Sequence, residues 1–284
     1  MEFCKPKVFV LGEQVVDKVE VHDYLQYLGA EKWFRENVED SIVSDAELLS
    51  EIYSRGCYKS FGAGLNPNVT KVREGNDTHL QNVIESLHGS ILEHSTVNFM
   101  FCDVSRVFTH ELVRHRVGVA ISQESLRYVR LTDLKSFDFP RLHDELTDEE
   151  EEWFRNQVKG VYEFLERVQC EMTVKFGLDD EKSFAKKKKL TSRMRRLAPL
   201  GLLTNIGWSA NLRTLRHIIP LRTHKSAEEE IRMVFKTVGV ICKEKYPNIF
   251  FDMEWYPDID DNRVSHGAEL SPGLGEWRVV NRKV

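Results

Sequence analysis

The chain is poor in several features, and each absence excludes a class of protein. No apolar run approaches the roughly 20 residues needed to cross a bilayer, and Met1-Glu2-Phe3-Cys4-Lys5-Pro6 is not a basic stretch leading into a long apolar core. A soluble, cytoplasmic protein without membrane contact is expected. The five cysteines, Cys4, Cys57, Cys102, Cys170 and Cys242, are scattered and odd in number, with no C-x-x-C pair. Neither a disulfide framework nor structural zinc is indicated, and the compartment reads as reducing. Positive charge is not in excess: 40 basic against 45 acidic residues give a net charge of −5, the wrong sign for a general nucleic-acid binder. No G-x-G-x-x-G follows a strand-like run, so a Rossmann nucleotide domain is not indicated. What remains is 284 residues, 41% hydrophobic, enough to bury a substantial core in one large domain or two small ones.

Against those absences stands one concentration of anion-binding groups. Arg114-His115-Arg116 opens it, a short apolar run follows, and Ser122-Gln123-Glu124-Ser125-Leu126-Arg127-Tyr128 closes it. Arginine supplies a rigid fork of donors that fits phosphate or carboxylate oxygens, and Ser125 with Gln123 can complete a shell around a phosphate or a pyrimidine edge. The plain alternative is a solvated turn between a helix and a strand. The rest of the chain decides between them.

Residues 8–12 form an apolar run ending in Gly12, a first strand. Residues 45–53 show a helical face of Leu48, Leu49, Ile52 and Tyr53, with Gly56 as the stop. Val83, Ile84 and Leu87 mark a second helix ahead of His88-Gly89-Ser90-Ile91-Leu92-Glu93-His94. Two histidines and a glutamate so close also suit a metal, but no further ligand with suitable spacing lies near. Residues 96–102 alternate, with Val97, Phe99 and Phe101 on one face, as a half-buried strand does. Asp103 is placed to cap a helix with Val104, Val107, Phe108 and Leu112 as its apolar positions. The arginine cluster begins where that helix ends, so a rigid element delivers it.

Residues 131–140 read as irregular. Thr147 and Glu150 make a capping box for a helix whose first turns are acidic and whose buried stripe is Phe154, Val158, Val161, Leu165, Val168 and Met172. Lys186–189 is a solvated basic face or loop. Residues 200–210 alternate weakly and fit either a strand or a helix. In Asn211-Leu212-Arg213-Thr214-Leu215-Arg216-His217-Ile218-Ile219-Pro220-Leu221-Arg222, the polar Asn211, Arg213 and His217 recur at roughly helical spacing, with Leu212, Leu215 and Ile219 on another face. Ser226 to Glu229 reads as a second capping box, opening a helix with Ile231, Val234, Phe235, Val238 and Ile241 inward. Beyond Pro247 periodicity fades into a turn-rich tail.

Arg-His-Arg, a spacer, Ser and then Arg-Tyr resembles the signature of flavin-dependent thymidylate synthases. That family holds seven residues between the last Arg and the Ser; this chain holds eight, the additional one within residues 117–121. Three further islands match: Ser60-Phe61; His88 with Glu93-His94; and Arg195 four residues before Pro199, followed by Asn211, Arg213, His217 and Arg222 in register. The resemblance runs from about residue 57 to 247. It implies an α/β (α+β) fold, a mixed, largely antiparallel sheet flanked by helices, in a single domain over 1–284 with a C-terminal extension from about 250.

The resemblance also implies a function: dUMP becomes dTMP, with methylenetetrahydrofolate as one-carbon donor and FAD carrying hydride from NADPH. Arg222 matches the residue that activates the uracil ring. Glu111, Arg114, Gln123, Glu124, Ser125, Leu126, Arg127 and Arg195 match the dUMP site. Ser60, His88, Ser90, Arg114, His115, Arg116, Gln123, Asn211, Arg213 and His217 match the FAD site, and no metal is implied. Classical thymidylate synthases attack the ring with a cysteine that follows a proline; no cysteine here does. A homotetramer with shared active sites is the implied assembly, with no nucleic-acid partner. The rivals are a relative that methylates UMP or hydroxymethylates dUMP, and a non-catalytic nucleotide- or RNA-binding protein using the arginines as phosphate clamps.

Overall fold

The computed structural model describes residues 1–65, 68–69, 71–127, 134–139, 146–258 and 274–280. Two short strands, β1 (Glu2–Cys4) and β2 (Lys7–Gly12), lead into helices α1 (Lys18–Tyr27), α2 (Glu31–Phe34), α3 (Asp45–Tyr58) and α4 (Asn76–Glu85). The long strand β3 (Thr96–Ser105) then runs into α5 (Arg106–Leu112), β4 (Val119–Gln123) and β5 (Lys135–Phe137). Next come α6 (Asp148–Lys175), α7 (Phe184–Met194), β6 (Leu203–Asn211), α8 (Leu212–Thr223), α9 (Glu229–Lys245), and the strands β7 (Met253–Pro257) and β8 (Gly275–Val279).

A four-stranded antiparallel sheet of order β2-β3-β6-β4 forms the centre. β1 pairs β5 in parallel, and β7 pairs β8 antiparallel. The α/β class with a largely antiparallel sheet and flanking helices is thus the observed one. The alternation of β3 does the positioning: Val97, Phe99 and Phe101 are buried, and Phe99 and Phe101 meet Trp208 of β6 with ring centroids 6.0 and 5.9 Å apart. Phe235 of α9 closes over Trp208 at 5.7 Å. Leu212, Leu215 and Ile219 of α8 and Ile231, Val234 and Val238 of α9 are buried in the same core. Within residues 200–210 the chain resolves as strand from Leu203 onward, because that segment lies between β3 and β4, where ladder bonds satisfy its backbone on both sides.

Several local expectations give way to the fold. α3 does not stop at Gly56 but runs to Tyr58, ended by Lys59 in the left-handed region (φ 51°). Leu87 leaves its helix with φ 61° and is 77% exposed. Asp103 caps nothing: it sits at φ 55° in a register shift of β3, and the strand continues to Ser105, whose Oγ accepts from Phe108 N and caps α5. The Thr147–Glu150 capping box forms, but the stripe of α6 is only partly buried: Val158 and Leu165 pack against Leu134, Tyr162 and Leu202, Phe154 and Val161 are exposed, and the fully buried side chains are Glu151, Tyr162 and Gln169. Ser226 does not cap α9; Glu228 does, accepting from Glu230 N and Ile231 N. The tail beyond Pro247 holds the β7–β8 pair rather than only turns. Within residues 131–140, β5 is regular, while Tyr128 and residues 131–133 lie outside the described residues. No described helix is long and apolar enough to cross a membrane.

Candidate active site

α5 ends at Leu112, and the next turn is set by backbone bonds from Arg114 N to Glu111 O (3.3 Å) and His115 N to Leu112 O (3.1 Å). Gly118 then turns the chain into β4 at φ 67°; a Cβ there would lie 2.4 Å from Asn211 Nδ2 and 2.5 Å from Thr214 Oγ1. Gly118 O accepts from Asn211 N at 3.0 Å, and Thr214 Oγ1 donates to Val117 O at 2.9 Å. The turn after the arginine cluster and the start of α8 are therefore one locked unit. Asn211 caps that helix, its Oδ1 accepting from Thr214 N at 2.8 Å.

The far end of α8 returns to the same cluster. Arg222 donates through Nη1 to Glu111 Oε2 and through Nε to His115 Nε2, both at 2.6 Å, and through Nη2 to Glu111 O at 3.3 Å. Accepting at Nε2 requires an imidazole without a proton there. Burial, with Arg222 and His217 nearby, pushes the His115 pKa down to about 4. Arg222 is thus a half-buried cation held by one carboxylate and one neutral ring.

The residues after β4 form a second group. Gln123 donates Nε2 to Thr109 Oγ1 at 3.2 Å. Glu124 exchanges bonds with Asn205 on β6, through its own N to Asn205 O (3.0 Å) and through Oε2 from Asn205 N (3.1 Å). Ser125 Oγ accepts from Arg127 N at 3.3 Å, and Arg127 O accepts from Thr191 Oγ1 at 2.8 Å. Leu126 packs partly buried against Leu134, Tyr162 and Leu202. Arg127 and Arg195 present exposed guanidinium groups. Arg106 stands close to both Glu124 and Arg195: it donates Nη2 to Glu124 O at 3.3 Å, and burial with Arg195 nearby lowers its pKa. Arg106 and Thr109 were not anticipated as site residues. Their only local signal is a position on the polar side of a seven-residue helix.

A third group surrounds the other end of α8. The turn Gly89–Glu93 packs on it, with Arg213 ion-paired to Glu93 and so close to Gly89 that a Cβ there would lie 3.1 Å from Arg213 Nε. His88 meets Tyr58 edge-on at 5.7 Å, and Ser90 is exposed. Arg114, Arg116, Arg213 and His217 are all exposed; Arg114 anchors Nε on His110 O at 3.1 Å. Ser60 is buried, its Oγ without a hydrogen-bond partner among the described residues. Its position is fixed from below by Arg55, 1% exposed, which donates Nη1 to Ser60 O (3.0 Å), Nη2 to Arg73 O (2.9 Å) and Nε to Glu51 Oε1 (2.7 Å). That buried pair was also unanticipated, although Glu51 and Arg55 share the inward stripe of α3 with Leu48 and Ile52 at i, i+4 spacing.

The donor set suits a dinucleotide with a pyrophosphate. It offers exposed cations on two converging elements and an orphaned buried hydroxyl, which costs stability when it has no partner. Among the described residues no three His, Cys, Asp or Glu side chains are arranged to hold a metal, the His88–His94 segment included.

Comparison with known proteins bears on the same residues. Residues 40–248 match the family model described as "Thymidylate synthase complementing protein". The chain is similar to the flavin-dependent thymidylate synthase of Corynebacterium diphtheriae, 31% identical over 215 residues, 76% of this chain and 82% of that one. The Corynebacterium glutamicum counterpart is 32% identical, covering 75% and 81%. Among solved structures, a UMP/dUMP methylase from Streptomyces cacaoi bound with 5-Br dUMP superposes with a TM-score of 0.58 at 16% identity, covering 88% of this chain and 95% of that one. Thymidylate synthase X from Helicobacter pylori, solved with FAD and dUMP, gives 0.50 at 19% identity, over 72% and 94%. At those identities the structural likeness speaks for the fold alone.

Proposed function

The chain belongs to the flavin-dependent thymidylate synthases, and from that premise we propose that it converts dUMP to dTMP, taking the one-carbon unit from methylenetetrahydrofolate. Hydride comes from FAD that NADPH has reduced. The observation that carries this reading is the setting of Arg222 between Glu111 and His115.

A guanidinium already bonded to a carboxylate is shaped for another planar, anionic edge. The neutral uracil ring acquires one along O4 and N3 as negative charge develops on it. A fixed cation there stabilises negative charge on the ring as it develops, so that C5 attacks the methylene carbon and later loses its proton. His115, kept neutral, orients the guanidinium without adding a second positive charge. In this scheme no cysteine attacks the ring.

The dUMP phosphate and sugar fall to Arg127 and Arg195, with Gln123 and Ser125 as neutral partners and Glu124 and Leu126 shaping the turn. The FAD pyrophosphate falls to Arg114, Arg116, Arg213 and His217. Ser60 Oγ, Ser90, His88 and the Nδ2 of Asn211 add hydrogen bonds. A homotetramer with shared sites is part of the proposal: α6 turns Trp153, Phe154, Val161 and Phe164 outward, an apolar surface of the kind a neighbouring copy covers. The free cysteines agree with a reducing, cytoplasmic setting.

The test is spectroscopic. The purified protein's visible spectrum is recorded, then NADPH is added anaerobically with and without dUMP, with UMP assayed in parallel because the Streptomyces cacaoi fold neighbour is a UMP/dUMP methylase. A flavin band that bleaches faster with dUMP, followed by dTMP formation once methylenetetrahydrofolate is added, is expected. A colourless protein that takes up no FAD overturns the reading.

A further inference from the structure

The last turn of α8 carries Arg222, yet its own helix supports it poorly. Pro220 has no N–H to give to the carbonyl four residues back. His224, just past the helix, is extended at φ −56° and ψ 141°, so no closing turn reaches the terminal carbonyls. Support comes instead from β8 and from the start of α9. Trp277 donates its backbone N–H to Thr223 Oγ1 at 2.9 Å, and Glu276 Oε1 accepts from Lys225 N at 3.0 Å. Arg232 joins the two, giving Nε to Thr223 O at 3.2 Å and Nη2 to Gly275 O at 3.4 Å. Thr223 is completely buried and donates its own hydroxyl to Ile219 O at 2.8 Å.

The hairpin is in turn seated firmly. The Trp277 indole donates Nε1 to Lys236 O at 3.2 Å and presses on Gly239, where a Cβ would lie 2.1 Å from that nitrogen. Trp255 of β7 backs it with ring centroids 5.6 Å apart. Both strands lie beyond residue 248, the end of the segment matched to the family.

We propose that the C-terminal β7–β8 hairpin is a positioning element for Arg222: it supplies the support that the end of α8 lacks and so holds the guanidinium against His115 and Glu111. Its catalytic consequence rests on the reading of Arg222 as the group that meets the uracil ring. Its structural content does not. Trp277 and Glu276 act through Thr223 and Lys225, to which they are bonded.

The experiment uses the full chain. Thr223→Val removes the acceptor for Trp277 N–H at constant volume, and Thr223→Ser keeps it. Glu276→Ala frees Lys225 N, and Glu276→Gln keeps an acceptor; this second pair stands in if the buried valine prevents folding, which thermal melts reveal. The position of Arg222 is read without substrate or flavin, by titrating the His115 ring by NMR, since Arg222 donates to it.

In Thr223→Val and Glu276→Ala, His115 is expected to titrate above the parent's value of about 4, because the Arg222 contribution weakens while burial still holds the ring below its ordinary 6.5, with the Ser and Gln variants like the parent. Turnover is expected to fall roughly 10- to 100-fold in the first two, as misplacement by about 1 Å does, while the affinity for FAD holds. A parent-like His115 titration in both disruptive variants overturns the proposal. An Arg222→Lys enzyme with full turnover overturns the catalytic reading instead and leaves the His115 titrations to decide on the hairpin.

Discussion

Glu111 and Arg222 stand 111 residues apart in the chain and meet at 2.6 Å, Oε2 against Nη1, with the Glu111 carbonyl taking a second bond from Nη2. Among the described residues, the carboxylate bonded to the proposed ring-activating cation is that of Glu111. A substrate edge that takes the same donors must displace it.

Glu111→Gln tests that competition. The amide keeps an acceptor but loses the charge, and for a partly exposed pair the difference is about 1 kcal/mol. KM for dUMP is expected to fall about five-fold, with kcat little changed. Steady-state kinetics decide: a KM that rises means Glu111 holds the nucleotide itself.

Gly118→Ala probes the lock between the arginine turn and α8. Alanine at φ 67° is strained, and its Cβ would meet Asn211 and Thr214 at 2.4 and 2.5 Å. A loss of about 1–3 kcal/mol in stability is expected, together with weaker FAD uptake, because Arg114, Arg116 and Arg213 lose their common footing. Denaturant melts and flavin titration measure both. A variant as stable as its parent would mean the turn has slack that this geometry denies.

Periodic elements were legible in the sequence, and long-range pairings were not. β3 was readable because Val97, Phe99 and Phe101 alternate, and α8 and α9 because their apolar positions recur at helical spacing. Asp103 misled because aspartate is a good cap by type, whereas here a bulge keeps the strand going to Ser105. α6 misled in the other direction: its apolar stripe has the pattern of a core face, and pattern alone does not say whether this chain or a neighbour covers it. In the site, the family motifs pointed to Arg222 and His115 separately. That the two share a hydrogen bond, with Glu111 as the third member, depends on α5 and α8 ending side by side, which no local signal encodes.

Two buried groups set opposite pH trends in stability. His79, hydrogen-bonded to Ser54 at 2.9 Å, has its pKa held down to about 3 by burial and by Arg55 and Arg73. Between there and its ordinary 6.5 the unfolded chain binds the extra proton, so acidification costs stability. Glu230, whose carboxylate takes the N–H and hydroxyl of Ser105, is raised by burial to about 7 from 4.5. In that window the folded chain binds the extra proton, so stability falls as pH rises. At its limit the effect is about 5 kcal/mol for His79 and about 3 kcal/mol for Glu230. Melting temperature against pH is expected to fall from acid to neutral in His79→Gln, where only the Glu230 trend is left, and to rise more steeply over that range in Glu230→Gln. Curves parallel to the parent in both variants would remove the linkage.

Arg222→Lys isolates the ring-activating role. Lysine keeps the positive charge but is a point donor on a flexible stem, unable to serve His115 and a planar anion at once. If the guanidinium stabilises charge on the uracil ring, kcat for dTMP formation should fall roughly 10²- to 10³-fold, the usual cost of losing one preorganised donor at a developing anion. Flavin content should stay, because the cations proposed for FAD lie on the arginine turn and along α8 rather than at Arg222. NADPH should still bleach the flavin. The diagnostic result is that combination: a reducible flavoenzyme in which release of hydrogen from C5 of dUMP has slowed in step with dTMP formation. Equal slowing of flavin reduction would move Arg222 to the cofactor's side of the reaction, and undiminished C5 exchange would remove it from ring activation.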